Sequence, residues 1–190
     1  MSGVHSGHVA GPERVVVLLR AVNVGGHGAL PMADLRAAAT DLGHTDVATY
    51  LATGNLLLTP APGSPGTPDG LAARLTADLA ERLGRPFALT VRTAAQLDEV
   101  VAANPYPRAA ADDPAHVVVV FLDGPAAADG PADLSAYGRE RATWRGREGY
   151  VHYPDGIGGS RVTAGVLDRL AGRSGTGRSW RTVLAVRSRL

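Results

Sequence analysis

Arg20, Asn23, Gly25, Gly26 and His27 lie within one stretch of eight residues, and together they are the residue types from which an anion site is built. An arginine on an otherwise apolar strand is costly to bury unless something negative pairs with it. The glycine pair lets backbone N–H groups approach a ligand, and a helix starting near Pro31 would add its partial positive charge. His27 completes a site for a phosphate or a carboxylate. The alternative is structural: Arg20 meets an internal acid such as Asp34 or Asp123, and the glycines are a turn.

Two more strings carry the same chemistry. Gly156, Gly158, Gly159, Ser160 and Arg161 stand between an expected strand and an expected helix. The third glycine of a dinucleotide fingerprint is missing, which leaves a simpler anion loop with Ser160 as helix N-cap, or a plain glycine-rich turn. Thr176, Arg178, Trp180, Arg181 and Thr182 combine guanidinium groups with an indole, a mixture that binds nucleic-acid backbone and stacks on bases. Alternatively, Trp180 packs inside with Val183 and Leu184. Gly54 and Asn55, a turn pair, complete the ligand-binding candidates. For acid–base work only Asp155 beside His152-Tyr153 is available, without a nucleophile or an orienting third group. His27, His44, His116 and His152 fall in no metal-ligand spacing, and His5 with His8 sits in a stretch that reads as a tail.

Composition removes other classes. The chain has 190 residues with 19 basic and 18 acidic side chains, and every basic one is arginine. Without lysine there is no P-loop, no Schiff base to pyridoxal phosphate and no protein-kinase motif set. Without cysteine there is no thiol nucleophile, disulfide or thiolate-bound metal. No cofactor is implied. The formal charge of +1 hides a division: residues 1–138 hold 8 basic and 14 acidic groups (8 − 14 = −6), and residues 139–190 hold 11 and 4 (11 − 4 = +7). The basic segment either docks on the acidic remainder or binds an external anion. The apolar runs Val15–Leu19 and Val117–Leu122 are far shorter than the ~20 residues of a membrane helix. The opening MSGVHSGHVAGP lacks the pattern of a signal peptide and reads as a flexible tail, so the cytoplasm is the expected compartment.

The elements that must position these residues follow from periodicity. Val15–Val24 reads as a central strand buried on both faces. Pro31 opens a helix closed by Gly43, and 46–59 reads as two strands hinged at Gly54-Asn55. After the loop PAPGSPGTP, Leu71, Leu75, Leu79 and Leu83 mark a helix closed by Gly84, and Phe87–Arg92 is a strand. The order is β-α-β-β-α-β, the ferredoxin-like pattern. A helix through Leu97, Val100 and Val101 ends before Pro105. The second half is expected to repeat this order: strand His116–Leu122, helix Asp133–Arg141, a hairpin of Thr143–Arg145 with Tyr150–Tyr153, helix Val162–Leu170, and a last helix within Ser179–Leu190.

The strings LLRAVNVGG (18–26), PMADLR (31–36), TYLATGN (49–55), VRTAAQL (91–97), ANP (103–105), VVVVFLDG (117–124), GIGGSRV (156–162) and TGRSWRTV (176–183) occur in one order. In this the chain resembles the uncharacterised bacterial family known as domain of unknown function 1697, from Arg14 to the C-terminus. The departures are Ser179, where the family usually has Asn, and Ala52-Thr53, where it usually has Gln-Ser. The resemblance implies an α+β protein of two ferredoxin-like pieces with mainly antiparallel sheets, and no catalytic residue. The expectation is a tail over 1–13, one α+β subdomain over 14–104 and a second over 105–190. Its expected role is binding a small phosphorylated or nucleotide-like anion, or nucleic acid, through Gly-rich loops and arginines. The rivals are a ligand-free interaction protein and an enzyme acting on a phosphorylated substrate.

Overall fold

The computed structural model describes residues 12–23 and 29–190. Gly25, Gly26 and His27, and His5 and His8, lie outside the described residues. The described residues fold as an α+β protein with two antiparallel sheets and six helices. The first sheet takes β1 (Val15–Leu19), β2 (Thr45–Tyr50), β3 (Asn55–Thr59) and β4 (Leu89–Thr93) in the order β2-β3-β1-β4, with every neighbouring pair antiparallel. Helices α1 (Met32–Asp41) and α2 (Pro68–Leu83) follow β1 and β3. Leu71, Leu75 and Leu79 of α2 recur every four residues and are buried against Val15, Val17, Leu19, Leu56 and Leu58. Thr67 caps the N-terminus of α2, accepting from Gly70 N at 3.2 Å, and Gly84 closes it in the left-handed conformation.

Alternate residues of β1 point the other way. Val16 and Leu18 enter a middle core with Leu97 and Val100 of α3 (Ala94–Ala102), Trp180, Val183 and Val186 of α6 (Trp180–Arg187), and Val117, Val119 and Phe121 of β5 (Val117–Leu122). Both faces of β1 and of β5 are therefore buried, which is why each reads as an unbroken apolar run. Beyond β5, Val118, Val120 and Leu122 pack with Trp144 of β7 (Arg141–Arg145), Val151 of β8 (Glu148–His152) and Leu167 of α5 (Ala164–Ala171). The second sheet has the order β6-β7-β8-β5-β9, with β6 at Gly130–Ala132 and β9 at Gly175–Ser179. A six-residue helix, α4 (Pro107–Asp112), links α3 to β5.

Three expectations change here. The first strand ends at Leu19, so Arg20 and Asn23 follow it in a bend; Ala21 and Asn23 have φ of 52° and 54°. No helix forms over 133–141. Asp133 Oδ1 accepts from Ser135 N at 3.0 Å, Tyr137 N closes a turn on Leu134 O, and Gly138 follows, so side-chain competition for backbone groups wins over the apolar spacing of Leu134 and Tyr137. With that helix gone, the second half runs β5-β6-β7-β8-α5-β9-α6 and does not repeat the element order of the first.

The candidate site and its relatives

Four of the predicted residues, Arg20, Gly54, Asn55 and Arg178, meet, with Thr176, where the C-terminal end of β1, the turn before β3 and strand β9 come together. Arg178 on β9 is 7 % exposed and carries five N–H groups, and each finds an acceptor. Nε donates to Asn55 Oδ1. One terminal nitrogen donates to Thr176 Oγ1 at 2.7 Å and Gly177 O at 2.9 Å, and the other to Leu19 O at 2.8 Å and Gly54 O at 3.1 Å. None of these acceptors is a carboxylate. Burial pushes the guanidinium down to about 10, still a cation at neutral pH. Asn55 is fully buried, and its Nδ2 donates to Tyr50 O at 2.8 Å and Thr53 Oγ1 at 3.2 Å, so the amide ties the β2–β3 turn to Arg178. Gly54 has φ +80°, and a Cβ there would lie 2.4 Å from Val22 Cγ2 and 2.9 Å from Leu19 Cβ. This turn can close on β1 only without a side chain.

Arg20 sits at the rim of the same junction. Its terminal nitrogens reach Asp168 Oδ1 at 3.1 Å and Oδ2 at 2.6 Å, Ser174 Oγ at 2.9 Å, and Gly175 O. The hydrogen bonds that it donates to Asp168 raise its pKa above the usual guanidinium value, against the opposing effect of burial. The internal acid is thus Asp168 on α5, in place of Asp34 or Asp123. Arg20, Asp123, Ser174 and Thr176 line a recess of about 30 Å³, room for water rather than for a phosphorylated ligand. Asn23 closes its own loop: its Nδ2 donates to Leu30 O at 2.9 Å and Ala52 O at 2.7 Å, and its Oδ1 accepts from Leu30 N at 2.7 Å. The Arg20–Asp168 pair joins the bend after β1 to α5, with side chains 27 % and 25 % exposed. We predict that Arg20→Ala lowers stability by about 1–2 kcal/mol in urea denaturation; an unchanged midpoint would show that the pair is idle.

Arg92 on β4 makes a second crossing that the sequence reading did not single out. It is 2 % exposed, and it donates to Glu148 Oε1 at 2.9 Å, Leu122 O at 3.1 Å and Val91 O at 2.9 Å, with its guanidinium 5.6 Å from the Phe121 ring centroid. One buried arginine therefore reaches from each sheet into the other. The signal was an arginine inside the apolar stretch of a strand, the same signal that drew attention to Arg20. Ion pairs between the acidic and basic segments run both ways, Arg147–Asp69 and Arg187–Asp98 in one direction, Arg20–Asp168 and Arg92–Glu148 in the other. The charge division is therefore not a simple docking of a basic tail on an acidic body.

The remaining candidates lie apart. Gly158 and Gly159 are exposed and a Cβ on either would meet nothing. Ser160 is no helix cap: its Oγ accepts from Val162 N at 3.0 Å and donates to Glu140, while Thr163 caps α5, accepting from Val166 N at 3.4 Å. Arg161 is used up on Tyr137 O and Ala136 O. Trp180 is 7 % exposed in the middle core, as its spacing with Val183 suggested, and Arg181 is exposed. Ser179 caps α6 by accepting from Thr182 N at 3.4 Å, so at the position where asparagine is usual another good cap residue stands. Asp155 pairs with Arg139 and makes no acid–base couple with His152. Among the described residues no three His, Cys, Asp or Glu side chains are placed to hold a metal ion, and no helix is long and apolar enough to cross a membrane.

The sequence model of a family described as "Protein of unknown function (DUF1697)" matches residues 13–150. The chain belongs to this family. The DUF1697 match takes in Arg20, Asn55 and Arg92 and ends before the strings around Ser160 and Arg178. No curated protein matches the sequence. Among solved structures the fold is similar to that of the conserved bacterial protein SP0830 from Streptococcus pneumoniae, at 18% identity and a TM-score of 0.55, over 92% of this chain and 97% of that one. At this identity the likeness concerns the fold.

Proposed function

We propose that this DUF1697 protein is a binding module whose Arg-bearing junction strings are part of its frame, and whose ligand contacts lie on its outer surface instead of between the sheets. The observation that carries this reading is Arg178, whose five donors are all taken by the protein's own acceptors. Arg20, likewise, is taken by Asp168 and its neighbours. A small anion at these positions would have to displace internal partners that already have good geometry. We read residues 14–104 as a ferredoxin-like unit, supported by its βαββαβ order and antiparallel β2-β3-β1-β4 sheet, and 105–190 as a second unit built on the other sheet.

A thermal-shift screen against nucleotides, phosphosugars and short oligonucleotides, run on the native protein and on Arg20→Ala, tests the reading. It expects Arg20→Ala to melt earlier while keeping whatever ligand-induced shift the native protein shows. A ligand whose stabilisation vanishes in Arg20→Ala, with the fold intact, would return the site to the junction.

A further inference from the structure

We propose that Tyr106, Arg141 and His152 form a surface site for a phosphate dianion, either free or as a phosphomonoester. The site goes beyond the reading above in naming a ligand class and a place for it. Arg141 opens β7 directly opposite His152 on β8, and their side chains share one face of the sheet. An Arg141 terminal nitrogen lies 3.3 Å from His152 Nδ1, and the guanidinium lies 5.5 Å from the centroid of the Tyr106 ring. That ring is 6.0 Å from the His152 ring. Tyr106 is itself held, by a 2.9 Å hydrogen bond between its hydroxyl and Thr143 Oγ1, and by Asn104 Oδ1 accepting from its backbone N at 2.9 Å. The arginine is thus oriented by an imidazole and by an aromatic face that is itself fixed from behind.

Its carboxylate neighbours are otherwise engaged. Asp155 pairs with Arg139, Glu148 with Arg92, Glu140 with Ser160, and Asp113 with His116, whose Nδ1 is 3.4 Å from Asp113 Oδ2. Among the described residues Arg141 has no acid partner, and it is exposed. His152 is held below the usual histidine value, first by burial and then by the positive charges of Arg141 and His116. Accepting from Arg141 at Nδ1 leaves its proton on Nε2, so the neutral ring has a donor to offer. A guanidinium fork matches two phosphate oxygens, and a dianion reverses the like-charge penalty that now depresses His152.

The test is an NMR titration of the His152 ring resonances with inorganic phosphate across pH 5–8, on the native protein and on Arg141→Gln and Arg141→Lys. Saturable movement of the His152 ring, a rise of about half a unit or more in its pKa, and binding at least about tenfold weaker in Arg141→Gln are expected. Arg141→Lys keeps the charge without the fork and should lie between. Absence of saturable movement, or equal affinity in Arg141→Gln, would overturn the site. A dinucleotide phosphodiester that moves His152 as strongly as phosphate would overturn the dianion assignment. Loss of phosphate binding in Arg20→Ala with binding kept in Arg141→Gln would overturn the frame reading as well; a silent titration alone leaves that reading standing.

Discussion

Arg178→Met is expected to lower the unfolding free energy by about 3 kcal/mol, and with it the melting temperature by roughly 6–12 °C for a chain of this size. Methionine keeps the apolar stem and removes the cost of holding a charge at 7 % exposure. What it leaves behind decides the sign. Leu19 O retains the Thr176 hydroxyl at 3.3 Å, and Gly54 O retains the Leu19 N–H at 2.8 Å. Asn55 Oδ1, in a fully buried side chain, loses the Arg178 Nε–H that it accepts. An orphaned buried acceptor costs about 1–3 kcal/mol, and the two sheets lose one of their cross-links. Arg178→Lys, with three donors for five acceptors, should recover only part of the loss. A methionine variant as stable as the native protein, by urea denaturation, would mean that the junction does not depend on the guanidinium.

Gly54→Ala should cost a similar amount, about 3 kcal/mol, for a different reason. At φ +80° a side chain adds about 1 kcal/mol of backbone strain. The new Cβ would also stand 2.4 Å from Val22 Cγ2 and 2.9 Å from Leu19 Cβ, and forcing such contacts apart in a packed core costs about 1–3 kcal/mol. Because Asn55 follows directly, the displaced turn would also pull the amide off Arg178. Chemical denaturation with circular dichroism measures it, and a stability within experimental error of the native value would contradict the close packing of the turn on β1.

The first half was legible because its elements carry apolar periodicity. Leu71, Leu75 and Leu79 announce α2, and the run Val15–Leu19 announces a strand buried on two faces. β9 was not, since Gly175-Thr-Gly-Arg-Ser contains no apolar residue. Its glycines are there because Val120 and Val118 lie over them, at 2.6 Å and 3.1 Å from where a Cβ would stand, a property of the neighbouring strand β5. Likewise, nothing in the sequence places Trp144 on Gly149, where a Cβ would be 2.0 Å from the ring. Of the site, the sequence marked Arg20, Gly54, Asn55 and Arg178 as special. It could not show that their partners are one another and Asp168, because those partners are up to 159 residues away along the chain. The cluster of Tyr106, Arg141 and His152 escaped for the same reason: each side chain is ordinary until β7 and β8 pair.

Arg178 and Asn55, on different sheets, work as one buried contact. A double-mutant cycle of Arg178→Met and Asn55→Ala, read by urea denaturation, measures this directly. The two losses should not be additive, with a coupling of about 1–3 kcal/mol because either substitution alone removes the shared hydrogen bond. Losses that add within about 0.5 kcal/mol would contradict it.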